Sequence, residues 1–124
     1  MIQHTLYPSM TQHTLLCEDV HTSLRPEIIF RLLADETRLR CMTLLCAHHE
    51  LSLLRFTHTL QLRPTVVMRQ LATLRAARLV SERSTGSTTS YRLHPALPVW
   101  TVHMLRAVSS SIVCLTPYIS DQAI

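Results

Sequence analysis

The chain contains no lysine and a single glycine, Gly86, among its 124 residues. One glycine cannot build a phosphate-cradling glycine loop, so glycine-loop nucleotide binding is excluded. No run of about 18 apolar residues occurs, so no membrane-spanning helix is expected. The N-terminus lacks the basic start and apolar stretch of a secretory signal, and the expected location is cytoplasmic. Cysteines stand at 17, 41, 46 and 114 without any Cys-x-x-Cys spacing. In that compartment they are expected to be reduced thiols. His48-His49-Glu50 lacks the i, i+4 histidine pair of a metalloprotease, and no nucleophile and base fall in register. An enzyme is therefore not expected.

What the chain does have is arginine, placed unevenly. From Arg55 to Arg92 there are seven arginines (55, 63, 69, 75, 78, 83, 92) against one acid, Glu82. The remainder holds five arginines against seven acids. The basic balance is local, and guanidinium groups suit bidentate contacts to phosphate and guanine. A hydrophobic content of 47% supports a core in one domain. It also leaves surplus apolar surface for a chain this small, which points to a dimer.

The residue pattern reads mainly α with a small β-hairpin. Residues 1–23 are polar and carry an echo, Gln3-His4-Thr5-Leu6 and Gln12-His13-Thr14-Leu15; they read as a flexible extension. The domain proper is expected over 24–115, with a tail over 116–124. Pro26 opens a helix running to Leu33. Asp35 caps a second, with Leu39, Met42, Leu45 and Cys46 inward. Ser52 can cap a third, with Leu53, Phe56 and Leu60 inward. Gln61-Leu62-Arg63 forms a turn and Pro64 starts a fourth helix, with Val67, Leu71 and Leu74 on its inner face. Thr65, Arg69, Ala72 and Ala76 lie opposite, beside Met68 and Thr73. Leu79–Arg83 and Thr89–Leu93 read as strands around Gly86. A last helix is expected from Val99 to Leu115, with the stripe Leu105, Val108, Ile112 and Leu115 as a dimer interface.

Two helices joined by a short turn, with a basic hairpin behind them, form the plan of a winged helix-turn-helix that reads double-stranded DNA. The plainer alternative is a small helical core with a solvated arginine face.

Several motifs carry a more specific resemblance. Residues 33–39 read Leu-Ala-Asp-Glu-Thr-Arg-Leu. Residues 67–80 read Val-Met-Arg-Gln-Leu-Ala-Thr-Leu-Arg-Ala-Ala-Arg-Leu-Val. Gly86 is followed by Tyr91-Arg92-Leu93, and residues 94–100 read His-Pro-Ala-Leu-Pro-Val-Trp. In this order and spacing the chain resembles the ArsR/SmtB family of winged-helix repressors. The resemblance implies a homodimer, paired through its first and last helices, that binds operator DNA and releases it on meeting an inducer. It implies base reading by Thr65, Met68 and Arg69. Phosphate contacts would come from Arg63, Thr73, Arg75, Arg83 and Thr85. Gln70, which stands where the family usually has histidine, is also expected to contact DNA; Arg78 stands where the family usually has glycine.

The resemblance weakens at the inducer site. Arsenic-type members carry Glu-Leu-Cys-x-Cys-x-x-Cys at the start of the third helix. Here that stretch is Glu50 to Thr57, and the thiolate positions are Ser52, Leu54 and Thr57. Trivalent arsenic needs soft thiolates, which these residues cannot replace. Other candidates for a soft metal or metalloid ion are scattered. His13, Cys17 and His21 stand at i, i+4, i+8 and would share one side of a helix; the alternative is a polar tail with incidental histidines. Cys46 reads as a core residue, with Cys41 nearer the edge. Either with Cys114 is a possible thiol pair. The rival readings are a winged-helix module for protein association and a repressor without inducer sensing.

Overall fold

The computed structural model describes residues 25–111 and Asp121. The elements run α1 (Pro26–Leu33), α2 (Glu36–Ala47), β1 (Leu51–Ser52), α3 (Leu53–Leu60), α4 (Pro64–Ala76), β2 (Val80–Thr85), β3 (Thr88–Leu93) and α5 (Val99–Ser111). Local chemistry accounts for most of these bounds. Pro26 and Pro64 occupy first-turn positions, where a missing N–H costs nothing. Asp35 accepts from the Arg38 N–H at 3.0 Å and Ser52 from the Arg55 N–H at 3.1 Å, so both expected caps form.

The α2 helix runs through the middle of the molecule. It packs against α1, α4, α5 and β3. Six consecutive residues, Arg40 to Leu45, are buried. A helix enclosed on every side has no single inward stripe. This corrects the order of the two thiols: Cys41 is fully buried and Cys46 only half-buried. The buried Arg40 is the one charge in this run. Its Nε and Nη2 each donate to the Asp121 carboxylate at 2.9 Å, and Asp121 is itself fully buried. A residue from the span read as a tail therefore closes on the core helix.

The sheet has the order β1-β3-β2, all antiparallel. The strand β1 has no counterpart in the sequence reading; it is two residues long, with Leu51 opposite Tyr91. The β2–β3 hairpin extends two residues further than expected on β2 and one on β3, turning at Gly86–Ser87. That turn needs a positive φ at its first position, and Gly86 supplies it at 62°.

The stripe on α5 also needs correction. Leu105 is fully buried within the single chain, so it belongs to the core rather than to an open face. Val108 is half-buried. Ile112 and Leu115 lie outside the described residues. Apart from Leu54 and Met68, the exposed large apolar side chains among the described residues are Phe30, Val99 and Trp100, with the Phe30 and Trp100 rings 6.1 Å apart. Among the described residues no helix is long and apolar enough to cross a membrane.

Candidate nucleic-acid interface

The α4 helix is anchored by one face and bare on the other. Val67, Leu71 and Leu74 are fully buried. Burying a side chain of this size contributes roughly 1.5–3 kcal/mol, so these three fix the helix's rotation about its axis. Thr65 and Arg69 are then exposed, and Met68 is 49% exposed. A half-exposed methionine between a hydroxyl and a guanidinium makes a mixed apolar and hydrogen-bonding surface. Base edges in a major groove offer matching features: acceptors, donors and the thymine methyl.

The turn before α4 holds its angle through strain. Gln61 sits at φ 58°, a left-handed conformation that ends α3. At the far end Arg78 sits at φ 63°, with the Leu79 N–H reaching back to the Leu74 carbonyl at 2.9 Å. This six-to-one bond is the Schellman closure, usually given to glycine. Arginine there costs about 1 kcal/mol relative to glycine.

The residues expected to hold DNA divide into two groups. Arg63 and Arg69 are exposed and have no acidic partner among the described residues. Arg75 and Arg83 are already engaged: Arg75 Nη1 lies 3.0 Å from Glu82, and Arg83 Nη2 lies 2.8 Å from Glu50. Exposed pairs of this kind contribute about 0–1 kcal/mol, so an incoming phosphate can displace the carboxylates. Thr73 bonds its own helix, donating to the Arg69 carbonyl at 3.1 Å. Thr85 is exposed at the end of β2.

The expectation that Gln70 contacts DNA needs correction: its side chain is half-buried and held from within the protein. Its Oε1 accepts from Arg38 Nη1 at 2.9 Å, while Arg38 Nε donates to the Leu32 carbonyl at 2.6 Å. Arg38 thus ties the end of α1 and the start of α2 to the middle of α4. Glu50 does the same for the hairpin, accepting from Ser90 Oγ and from Arg83. Those two bonds, Ser90 first, hold its carboxyl below the ordinary carboxylate value. Sequence reasoning missed both Arg38 and Glu50 as positioning residues. Neither contact has a local signature, since the partners are 32 to 40 positions apart.

The former thiolate positions now have other roles. Ser52 caps α3, Leu54 is 77% exposed, and Thr57 donates to the Leu54 carbonyl at 2.8 Å. No group of three or more metal-ligating side chains occurs among the described residues. Burial pushes the Cys41 thiol up to about 12 and raises Cys46 as well. His13, Cys17, His21 and Cys114 lie outside the described residues.

A buried three-residue anchor, a bare outer face and a hairpin wing define a winged-helix regulator. HlyU from Vibrio cholerae shares the fold, with a TM-score of 0.61 at 25% identity, covering 68% of this chain and 87% of that one. No family model matches the chain. Curated relatives do. The arsenic resistance transcriptional regulator ArsR1 of Pseudomonas putida is 41% identical over 85 residues, spanning 68% of this chain and 66% of that protein. The arsenical resistance operon repressor of Escherichia coli is 35% identical over 82 residues, spanning 66% and 70%. The chain belongs to the ArsR/SmtB family of transcriptional repressors.

Proposed function

We propose that this protein is a cytoplasmic, homodimeric repressor that binds operator DNA and leaves it when an inducer arrives. The observation that carries this reading is the outer face of α4, where Thr65, Met68 and Arg69 are exposed directly behind a fully buried anchor. Those three residues read bases. Arg63, Arg75, Arg83 and Thr85 hold phosphates, and Gln70 and Thr73 stiffen the helix. Dimerisation uses the remaining α5 surface with the exposed pair Phe30 and Trp100. The reading is of a binding protein, with no catalytic role.

The two curated relatives bear names tied to arsenic resistance. A soft metalloid or a thiol-reactive compound is accordingly the proposed inducer class. Any thiolate ligands come from Cys17 and Cys114, joined by His13 or His21, because Ser52, Leu54 and Thr57 cannot supply them. A gel shift on the chain's own promoter, with and without arsenite, antimonite, zinc or peroxide, tests the reading. Specific retention that an inducer abolishes supports it. Retention that no addition disturbs favours a repressor without sensing. No retention favours an association module.

A further inference from the structure

A second cluster of positive charge lies away from α4. The end of α2 with the residues just after it, the end of β3 and the α5 helix border an open recess of about 350 Å³. Its lining includes His48 and His49, Arg92 from β3, Arg106 from α5 and the Cys46 thiol. Among the described residues no acidic side chain lines it. The adjacent acid, Glu50, already accepts from Ser90 and Arg83. Arg92 makes only a long bond to Ser81 Oγ, at 3.4 Å, and Arg106 has no acidic partner among the described residues. Two uncommitted guanidinium groups and two imidazoles thus converge on one recess, with Leu45 and Leu93 as apolar wall.

We propose that this recess binds a small organic or inorganic anion bearing carboxylate-type or phosphate-type oxygens, and that the bound anion sits against Cys46. Guanidinium groups bind such oxygens as bidentate forks, with a strength that neutral donors lack. The volume falls at the small end of ligand pockets, which fits a compact metabolite rather than a dinucleotide. Burial raises the Cys46 thiol and Arg106 partly opposes it by favouring the thiolate, so the thiol and the anion share one positive field. The recess joins α2 to the hairpin and to α5, so an occupant touches the wing and the last helix together. That coupling rests on the DNA-binding reading; the anion site does not.

The test uses the full chain and two alkylating reagents of similar size, iodoacetate (an anion) and iodoacetamide (neutral), with modification at Cys46 mapped by peptide mass. The rate ratio of anion to neutral reagent should be about threefold or more higher in the folded chain than in urea, from the positive field of two nearby guanidinium groups. Arg92→Gln with Arg106→Gln should return the ratio to the urea value; both side chains are exposed, so the core is untouched. A change in thiolate fraction moves both rates alike, so the ratio isolates anion attraction. Inorganic phosphate should protect Cys46 more than chloride at matched ionic strength. A folded ratio equal to that in urea, a ratio unmoved by the double substitution, or phosphate no better than chloride would each overturn the proposal. So would a Cys46 that neither reagent labels in the folded chain.

Discussion

The helices α2 and α4 are neighbours of nearly equal length, 12 and 13 residues, and they solve opposite problems. The α2 helix is enclosed on all sides and even accepts a buried arginine. The α4 helix buries three side chains as an anchor, half-buries a few beside them, and leaves its outer face to solvent. The contrast is sharpest in their arginines. Arg40 is buried and held bidentately by Asp121. Arg69 is exposed, without an acidic partner among the described residues. One arginine is fixed within the core, and the other remains available for a partner. The shared residue type says nothing about role; the surroundings decide it.

The largest break in this comparison should come from α2. Asp121→Ala leaves a buried guanidinium uncompensated, which costs about 3–5 kcal/mol in urea unfolding. Replacing both partners by apolar residues, Arg40→Met with Asp121→Leu, should recover most of that loss. A single variant as stable as wild type would show that the pair does not hold in solution. On α4 the corresponding change touches binding and spares the fold. Arg69→Ala should cost about 1–3 kcal/mol on operator DNA and much less on random duplex. Unfolding should be unchanged. Equal losses on both DNAs would place Arg69 on phosphate instead.

Smaller effects sharpen the picture. Arg78→Gly relieves the left-handed strain at the end of α4 and should raise stability by about 1 kcal/mol or slightly less, since glycine also gains freedom when unfolded. A loss of stability would mean that the arginine side chain contributes more than its backbone costs. The Cys41 thiol, with an ordinary value of 9.0, is pushed up to about 12 by burial. A group raised on folding contributes its full share below the unfolded value and loses it as pH climbs through the folded one. Stability should therefore fall from pH 9.0 towards about 12, and Cys41→Val should fall less steeply. Tyr91, also raised by burial, slopes the same way in both proteins, so the difference between them is the measurement. Identical slopes would mean that Cys41 is accessible.

The same contrast explains how much the sequence revealed. The α4 helix was legible because a one-sided helix writes its burial into its periodicity: Val67, Leu71 and Leu74 were correctly placed inward. Pro26, Asp35, Ser52 and Gly86 were legible because caps and turns act within a few residues. The α2 helix is not legible in this way, since enclosure of its centre erases the stripe, and the pattern alone puts Cys46 deeper than Cys41, the reverse of what is found. Periodicity puts Leu105 on an open face because it reports a side, never what covers it. The Arg40–Asp121 pair joins residues 81 positions apart and has no local signal at all. The engagement of Arg75 with Glu82 and of Arg83 with Glu50 was missed for the same reason: charge counting does not say which charges meet.

The central claim, that the bare face of α4 and its wing meet double-stranded DNA, is tested most directly by salt. Each neutralised phosphate contributes about −0.9 to the slope of log K against log of salt concentration. The proposed dimer, presenting two such faces, would make roughly six to ten phosphate contacts, so the expected slope on operator duplex is about −5 to −9. A slope near zero would contradict the account and leave the arginine face as a surface for some other partner.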